Sequence, residues 1–583
     1  MTDDKAVNAP SLSKLLVFCK AILGPEKDFY ILAAIYGVGI SLLSLALPIS
    51  VQMLINTVAN TALVAPLTVL SITLFVLLLV SGLLNALRIH LMEIFGRRFY
   101  ARMTSEIALR AIYAVNPFFT DTGKGPLFNR YFDMVIIQKT IPNLMIGGFT
   151  LVLQALVGFV LVSLYHPLFL AFNVIFILLI WAVLAIWGPG AISSAVALSH
   201  KKHEAAAWLE ALAASNGYYK SQRHIAYALE QTDEQTGHYI NEHRRHFRQH
   251  FAQTIALLII YAAASAMLLG LGGWLVIQGQ LTLGQLVAAE LILSAVFLGV
   301  SQFGGYLTEI YDTFAAVEEL SQFYDVPQEE PLDAHKLQRG NAELSFLNVR
   351  GDARGRDAVF NFQIPSGAKL IGKSTDHGLQ RLFANLLRRH VEPEAGLITF
   401  GGSDISSIEV HELRQQVAIV DRPTLNEMPI REYLWLSCQD ASPANIQIII
   451  RLVGLEPVIA NLEDGLDTVV ATTGWPLSVT EAMQLKLAAA ILSRPQMIVL
   501  NQLIDLIPER HIQAVFAALS ENKDQTIVYF SNRNAPLNVD GYLYLDYDRQ
   551  HIFSDRQEFL QSAALIEDHA ETQQIRFEPT TSE

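Results

Sequence analysis

Eight residues, Gly367-Ala368-Lys369-Leu370-Ile371-Gly372-Lys373-Ser374, fit the spacing G-x-x-x-x-G-K-S. In that motif a glycine-rich turn points backbone N–H groups at phosphate, and a lysine at the start of the next helix adds charge. The chemistry needs a strand before the loop and a helix after it. Here Ala368–Ile371 reads as an apolar strand that should precede a loop rather than form one, and Lys373-Ser374 runs into Thr375-Asp376-His377-Gly378. A second candidate is His243, His246 and His250, interleaved with Arg244, Arg245 and Arg248; His246 and His250 have the i, i+4 spacing of helical metal ligands. Their setting reads instead as a solvated, headgroup-facing helix end, and no metal site is expected. Glu290 stands alone in a long uncharged stretch, and Cys19 and Cys438 are too far apart in sequence to form a framework.

What positions these residues follows from where charge is missing. The 583 residues carry 41 Lys+Arg and 55 Asp+Glu, a net charge of −14, and 52% are hydrophobic. That balance argues against disorder and against a nucleic-acid partner. No Asp, Glu, Lys or Arg occurs from Phe29 to Leu87 or from Thr140 to His200, and only Glu290 from Gln249 to Thr308. A bilayer span takes about 20 apolar residues, so each block holds two spans and a turn. The six predicted spans are 29–57, 65–88, 141–165, 167–189, 253–277 and 283–308. The segments between blocks carry Arg97, Arg98, Arg102, Arg110, Arg130, Lys201, Lys202 and Arg223, whereas the hairpin tips near Asn60–Pro66, His166–Pro167 and Gln278–Leu283 carry no basic residue. By the positive-inside rule both termini and both long segments are expected in the cytoplasm.

The domains expected are an interfacial helix in 1–25, a six-helix membrane domain in 26–315 with long helical extensions, a linker at 316–341, an α/β domain at 342–560 and a polar tail at 561–583. Cross-pieces are expected at Pro126–Ile137 and Asn216–Ala226. In the soluble part, strand signals such as Glu343–Val349, Val417–Val420, Met497–Leu500 and Thr526–Phe530 alternate with helical stretches.

Gln280–Ala288 (QLTLGQLVA), Val391–Ile398 (VEPEAGLI), Leu462–Val470 (LEDGLDTVV), Leu477–Leu492 and Thr526–Arg533 (TIVYFSNR) occur in the order that resembles an ABC exporter half-transporter, over about residues 10–560. The resemblance implies a multi-domain membrane protein: a six-helix transmembrane domain of the ABC exporter type and a P-loop NTPase-like ABC ATPase domain. It also implies site residues, and the sequence departs from nearly all of them. In the family's register the P-loop is Gly372–Gly378, with Lys373 and Ser374 inside it. The lysine position then falls on Gly378, or on Gln380 counted back from Pro393. Where the family has the Walker B Asp and Glu that order Mg²⁺ and polarise water, this chain has Asn501 and Gln502. Arg422 stands at the Q-loop position and Asn532 at the switch histidine. The signature reads Leu477-Ser478-Val479-Thr480-Glu481 and lacks its glycines, and no aromatic is present at Gly351–Ala353.

The expectation is a catalytically impaired exporter half, paired as a heterodimer with an ATPase-competent half in a bacterial inner membrane and moving substrate outward. No catalytic residue and no cofactor at its own site are expected. Mg-ATP would sit in the partner's site facing Ser478, or bind weakly here. Membrane lipid and an outer or periplasmic adaptor are further expected partners. Glu290, Asn173 and Gln302 are candidates for a translocation path. The alternative is an ATP-independent pseudo-transporter serving as scaffold or regulatory subunit.

Overall fold

The computed structural model describes residues 12–55, 64–115, 119, 125–329, 340–520, 522–533 and 537–561. The chain divides into two compact units, Met1–Glu329 and Glu330–Glu583.

The first unit is helical: α1 (Leu12–Leu23), α2 (Lys27–Leu43), α3 (Ala46–Met53), α4 (Val64–Ile112), α5 (Asp133–Asn143), α6 (Phe149–Ser163), α7 (Pro167–Ala214), α8 (Gln222–Ile277) and α9 (Leu283–Ser321). Six of its helical stretches are long and apolar enough to cross a membrane, with mean hydropathy of 2.0 to 2.8. The first and third are interrupted. Pro48 has no N–H to give the carbonyl four residues back, and the first stretch breaks at Ser44-Leu45. Pro142 lies in α5, and a π turn at Leu144–Gly148 separates α5 from α6. Sharp ends have local causes. Thr282 and Gln285 form a reciprocal capping box at the start of α9, and His166 Nδ1 accepts from Leu168 N ahead of Pro167 in α7. None of the most apolar window of α4 is buried, whereas half of that of α9 is, so α9 is the central helix. Phe169, Phe176, Leu257, Leu268, Leu293 and Phe297 form the core around it.

At a rise of about 1.5 Å per residue, α4, α7 and α8 each reach about 70–85 Å, more than twice the roughly 30 Å hydrocarbon layer. The excess forms the arms expected from the sequence. Two 3-10 turns lie at the arm ends: Gly125–Phe132, which overlaps the expected cross-piece Pro126–Ile137, and Tyr218–Lys220, inside Asn216–Ala226.

Two boundaries differ from expectation. Helix α9 continues to Ser321, and the first unit runs on to Glu329, well past the expected linker start at 316. The reason is burial: Ala316, Val317, Leu320, Phe323 and Val326 pack with Phe95, Met103 and Ile107, and Val115 N donates to Pro327 O at 3.0 Å. Helix α1, expected at the membrane interface, buries Leu15 and Ile22 in this same cluster while Leu16 and Val17 face outward. Arg102 holds it, binding Glu26 at 2.8 and 3.0 Å and donating to Ile22 O. The remainder of the expected linker (330–339) and the tail beyond 561 lie outside the described residues.

The second unit has an antiparallel sheet in the order β2-β1-β4-β5 and a six-stranded sheet in the order β12-β11-β3-β10-β9-β6. The first comprises β1 (Leu344–Asp352), β2 (Asp357–Ile364), β4 (Ala395–Phe400) and β5 (Ser403–Asp404). The second comprises β3 (Lys369–Ser374), β6 (Val417–Val420), β9 (Met497–Leu500), β10 (Thr526–Phe530), β11 (Gly541–Leu545) and β12 (Gln550–Phe553), parallel except at β12. A short ribbon pairs β7 (Met428–Pro429) with β8 (Val469–Val470). Near-continuous apolar runs in β9 and β10 are buried on both faces, as a covered parallel sheet requires. Helices α10 (His377–Leu387), α11 (Val410–Gln416), α12 (Ile430–Ser437), α13 (Pro443–Val453), α14 (Glu456–Asn461), α15 (Val479–Leu492) and α16 (Glu509–Ser520) complete the unit.

Candidate functional site

In an open parallel sheet, ligands bind in the crevice at the carboxyl ends of the strands. The residues there are Thr375-Asp376 after β3, Asp421-Arg422 after β6, Asn501-Gln502 after β9 and Ser531-Asn532 after β10. The fold thus brings together the four segments the sequence singled out. It also changes the expected P-loop. Strand β3 extends through Ser374, with Lys373 paired opposite Tyr544 of β11, and α10 begins at His377. The expected loop Gly372–Gly378 is reduced to Thr375-Asp376. Gly372 lies within the strand, where a Cβ would come 2.8 Å from the Phe530 ring. Lys373 and Ser374 are therefore strand residues, and neither stands at the start of α10.

The first turn of α10 has its own anion. Asp376 is the N-cap: its Oδ1 accepts from Gly378 N at 2.7 Å and its Oδ2 from the Tyr547 hydroxyl at 2.8 Å, with Arg354 3.8 Å away. The Gly378 N–H, then Tyr547 and Arg354, hold the carboxyl below the ordinary range, so it is charged at neutral pH. This is the position where a phosphate would meet the helix N-terminus. Gln380 is buried one turn further along, with its Oε1 lacking a hydrogen-bond partner. The literal motif's other glycine has a structural duty. Gly367 has φ +76, and a Cβ there would run into the Lys523 carbonyl oxygen. Lys369 is buried and donates to the carbonyls of Gly367 and Asn522, so its ammonium is used away from the crevice.

The signature helix α15 repeats the pattern. Ser478 caps it: Ser478 Oγ accepts from Glu481 N at 3.3 Å, and Glu481 Oε2 accepts from Ser478 N at 2.7 Å. Leu477 is buried, whereas Val479 is exposed and Thr480 continues the first turn. Asn501 caps a 3-10 turn by accepting from Leu503 N at 3.1 Å. The Arg422 carbonyl accepts from Lys486, whose ammonium is destabilised by burial. Asn532 contributes its backbone: its N–H donates to Asp505 Oδ2 at 3.0 Å, while Asp505 Oδ1 accepts from Tyr529 and from Ser531 Oγ. Sequence reading missed the role of Asp376, inside the expected P-loop, and those of Asp505 and Tyr547, which occupy no motif position. The run Ser-Thr-Asp-His ahead of a helical stretch was the available signal for Asp376, as an N-cap.

In the membrane unit, Asn173 is buried and its Nδ2 donates to Phe159 O and Ser163 Oγ, which ties α7 to α6. It borders an apolar cavity of 630 Å³ among Phe159, Phe176 and Val300. Gln302 lines a second cavity of 380 Å³ with Thr150, Gln154 and Tyr306, beside the π turn. Glu290 accepts from Ser294 at 2.9 Å within α9. His246 meets Ser194 and His250 meets Thr308, so the two imidazoles have separate partners.

Residues 30–300 match the family described as the ABC transporter transmembrane region. A bacterial Atm1-family ABC exporter solved with ATP bound is similar over 94% of this chain and 99% of its own, with a TM-score of 0.79 at 18% identity. The fold is that of an ABC exporter. Curated sequence relatives carry transporter names. The ABC multidrug transporter mdr2 of Aspergillus fumigatus is 24% identical over 76% of this chain and 57% of its own length. The ATP-dependent lipid A-core flippase of Neisseria meningitidis serogroup B is 27% identical over 46% of this chain and 45% of its own. The chain spans about half the length of these curated relatives. In the crevice Asp376 stands at the start of α10, where there is no lysine, and the Asn501 amide follows β9.

Proposed function

We propose that this chain is the catalytically impaired half of an ABC-type exporter and that it pairs with an ATPase-competent half. One observation carries the reading. Asp376 occupies, with the chain's own negative charge, the N-terminus of α10, where this chain's own nucleotide phosphates would be held. With amides at Asn501 and Gln502, the crevice has neither the Mg²⁺ ligand nor the base for hydrolysis. Mg-ATP belongs to the partner's site, and the long arms of α4, α7 and α8 carry the partner's cycle to the spans. The termini and arms face the cytoplasm, because the basic residues lie at that end. Cargo enters among α3, α6 and α9, where Thr150, Gln154, Gln302 and Tyr306 mix with apolar side chains, a lining suited to an amphipathic molecule.

Co-expression with the candidate partner, followed by affinity capture and ATPase measurement, tests this. The chain alone is expected to bind no Mg-ATP and to hydrolyse none, while the pair hydrolyses. Replacing the partner's catalytic glutamate should abolish turnover. Hydrolysis by this chain alone overturns the proposal. Capture of a complex whose ATPase is unaffected by Ser478→Ala favours the scaffold reading.

A further inference from the structure

We propose that Asp133, His203 and Glu319 form a site for a divalent transition-metal ion of the zinc class, with His200 and Glu318 completing its shell. The inference does not rest on the reading of the nucleotide crevice.

The residues come from three places in the chain: the N-terminus of α5, the arm of α7 and the end of α9. Asp133, His203, Glu318 and Glu319 lie outside the uncharged blocks, and His200 is the last residue of the second. Asp133, His203 and Glu319 are buried, and each offers a donor atom within 4.8 Å of the other two; His200, Glu318 and Glu319 meet the same condition. Tetrahedral ligands at about 2.0–2.2 Å from a metal stand roughly 3.3 Å apart, so small side-chain movements would close the set.

Each carboxylate spends one oxygen on a cation. Asp133 Oδ1 binds Lys202 Nζ at 2.7 Å, and Glu319 Oε2 binds Arg130 Nε at 2.6 Å. The remaining oxygens are Asp133 Oδ2, 2.6 Å from His203 Nε2, and Glu319 Oε1. Glu319 Oε1 has no hydrogen-bond partner although its side chain is fully buried; His200 Nε2 lies 3.7 Å away. An unmet buried acceptor of this kind is costly, and an ion between it and His203 would satisfy it. The second imidazole nitrogen, His203 Nδ1, lies 2.8 Å from Asn129 Oδ1. That is the outer partner a ligating histidine ordinarily has, and it turns Nε2 toward the carboxylates.

Charge fits as well. Arg130 and Lys202 offset two of the three carboxylates, leaving one negative charge for a divalent ion when the imidazoles are neutral. Mixed imidazole and carboxylate donors suit Zn²⁺, Mn²⁺ or Fe²⁺ better than Mg²⁺, which prefers oxygen alone. Bound there, the ion would cross-link α5, α7 and α9 beyond the spans and favour the arrangement in which these arms are together.

The test uses the full chain in detergent, stripped with chelator and reloaded with Zn²⁺ or Co²⁺ alone. Expected are about one Zn²⁺ per chain after desalting and a Co²⁺ d–d absorption spectrum that Zn²⁺ abolishes. Asp133→Asn and His203→Gln should weaken Zn²⁺ by at least about 100-fold, and Asn129→Ala by about 10- to 100-fold. His246→Gln should leave binding unchanged. Absence of stoichiometric Zn²⁺ from the wild-type chain overturns the proposal without needing any variant to fold. So does retention of the metal by folded His203→Gln, or its loss in His246→Gln, which would place the ion in the other histidine cluster.

Discussion

If Asp376 closes the helix start that a nucleotide would use, its removal should open the first turn of α10 by a calculable amount. Asp376→Ala deletes the N-cap, worth about 1 kcal/mol. It also leaves the Tyr547 hydroxyl without its acceptor, about 1 kcal/mol more. The combined cost of about 2 kcal/mol corresponds to roughly 30-fold faster local exchange. Asp376→Asn keeps a side-chain oxygen for Gly378 N but loses the charge beside the helix dipole, about 0.3–1 kcal/mol, or roughly 2- to 5-fold. Hydrogen–deuterium exchange of the peptide covering 375–387, measured on the full chain at pH 7, reads both. The sign with pH follows from the depressed carboxyl: the cap is fully present above the ordinary carboxylate range and is lost only as pH falls through its lower folded value. Neither variant should acquire ATP binding, since no lysine stands at the start of α10. Equal exchange in the wild-type chain and Asp376→Ala would refute the reasoning and leave that helix start open to another anion.

Two further outcomes follow from half-buried positions in the same unit. Burial, with Arg388 and Arg414 nearby, lowers the His390 pKa to about 3. The folded chain therefore favours neutral His390, and stability should fall by up to about 1.4 kcal/mol per pH unit as pH drops below about 6.5. Thermal unfolding of the full chain from pH 7 to 5 should show a flatter profile in His390→Gln, and parallel profiles would contradict this. Gly367→Ala must place a Cβ at φ +76 against the Lys523 carbonyl. It should cost at least about 1–2 kcal/mol, seen as a lowered unfolding temperature; an unchanged temperature would show that Gly367 is not held in that turn.

Much of the membrane unit was legible because bilayers impose a coarse rule. Apolar length separates spans from everything else, so the uncharged blocks pointed to six hairpin-paired helices and the basic residues marked one end. The finer limits were not legible. Ala316, Val317 and Leu320 look like the start of a linker until Phe95 and Met103, more than 200 positions earlier, are found packed against them.

In the α/β unit, motif order identified the sheet and the crevice, and the substitutions Asn501, Gln502 and Asn532 could be read one by one because each needs only its own position. The shape of the P-loop could not be read that way. Whether Gly372–Ser374 turns or extends depends on β10 and β11, whose residues Phe530, Tyr544 and Leu545 lie over 150 positions away and draw it into the sheet.

By itself, then, the sequence determined the apolar spans, their place ahead of an α/β unit, and the side chains that stand at 501, 502 and 532. All three follow from local composition or from single positions. Tertiary structure decided that Asp376 meets the Tyr547 hydroxyl, 171 positions away. It also decided that Asp133, His203 and Glu319, from three separate segments, share one buried pocket. Burial and proximity are properties of chain segments brought together in space, and residue spacing along one segment does not encode them.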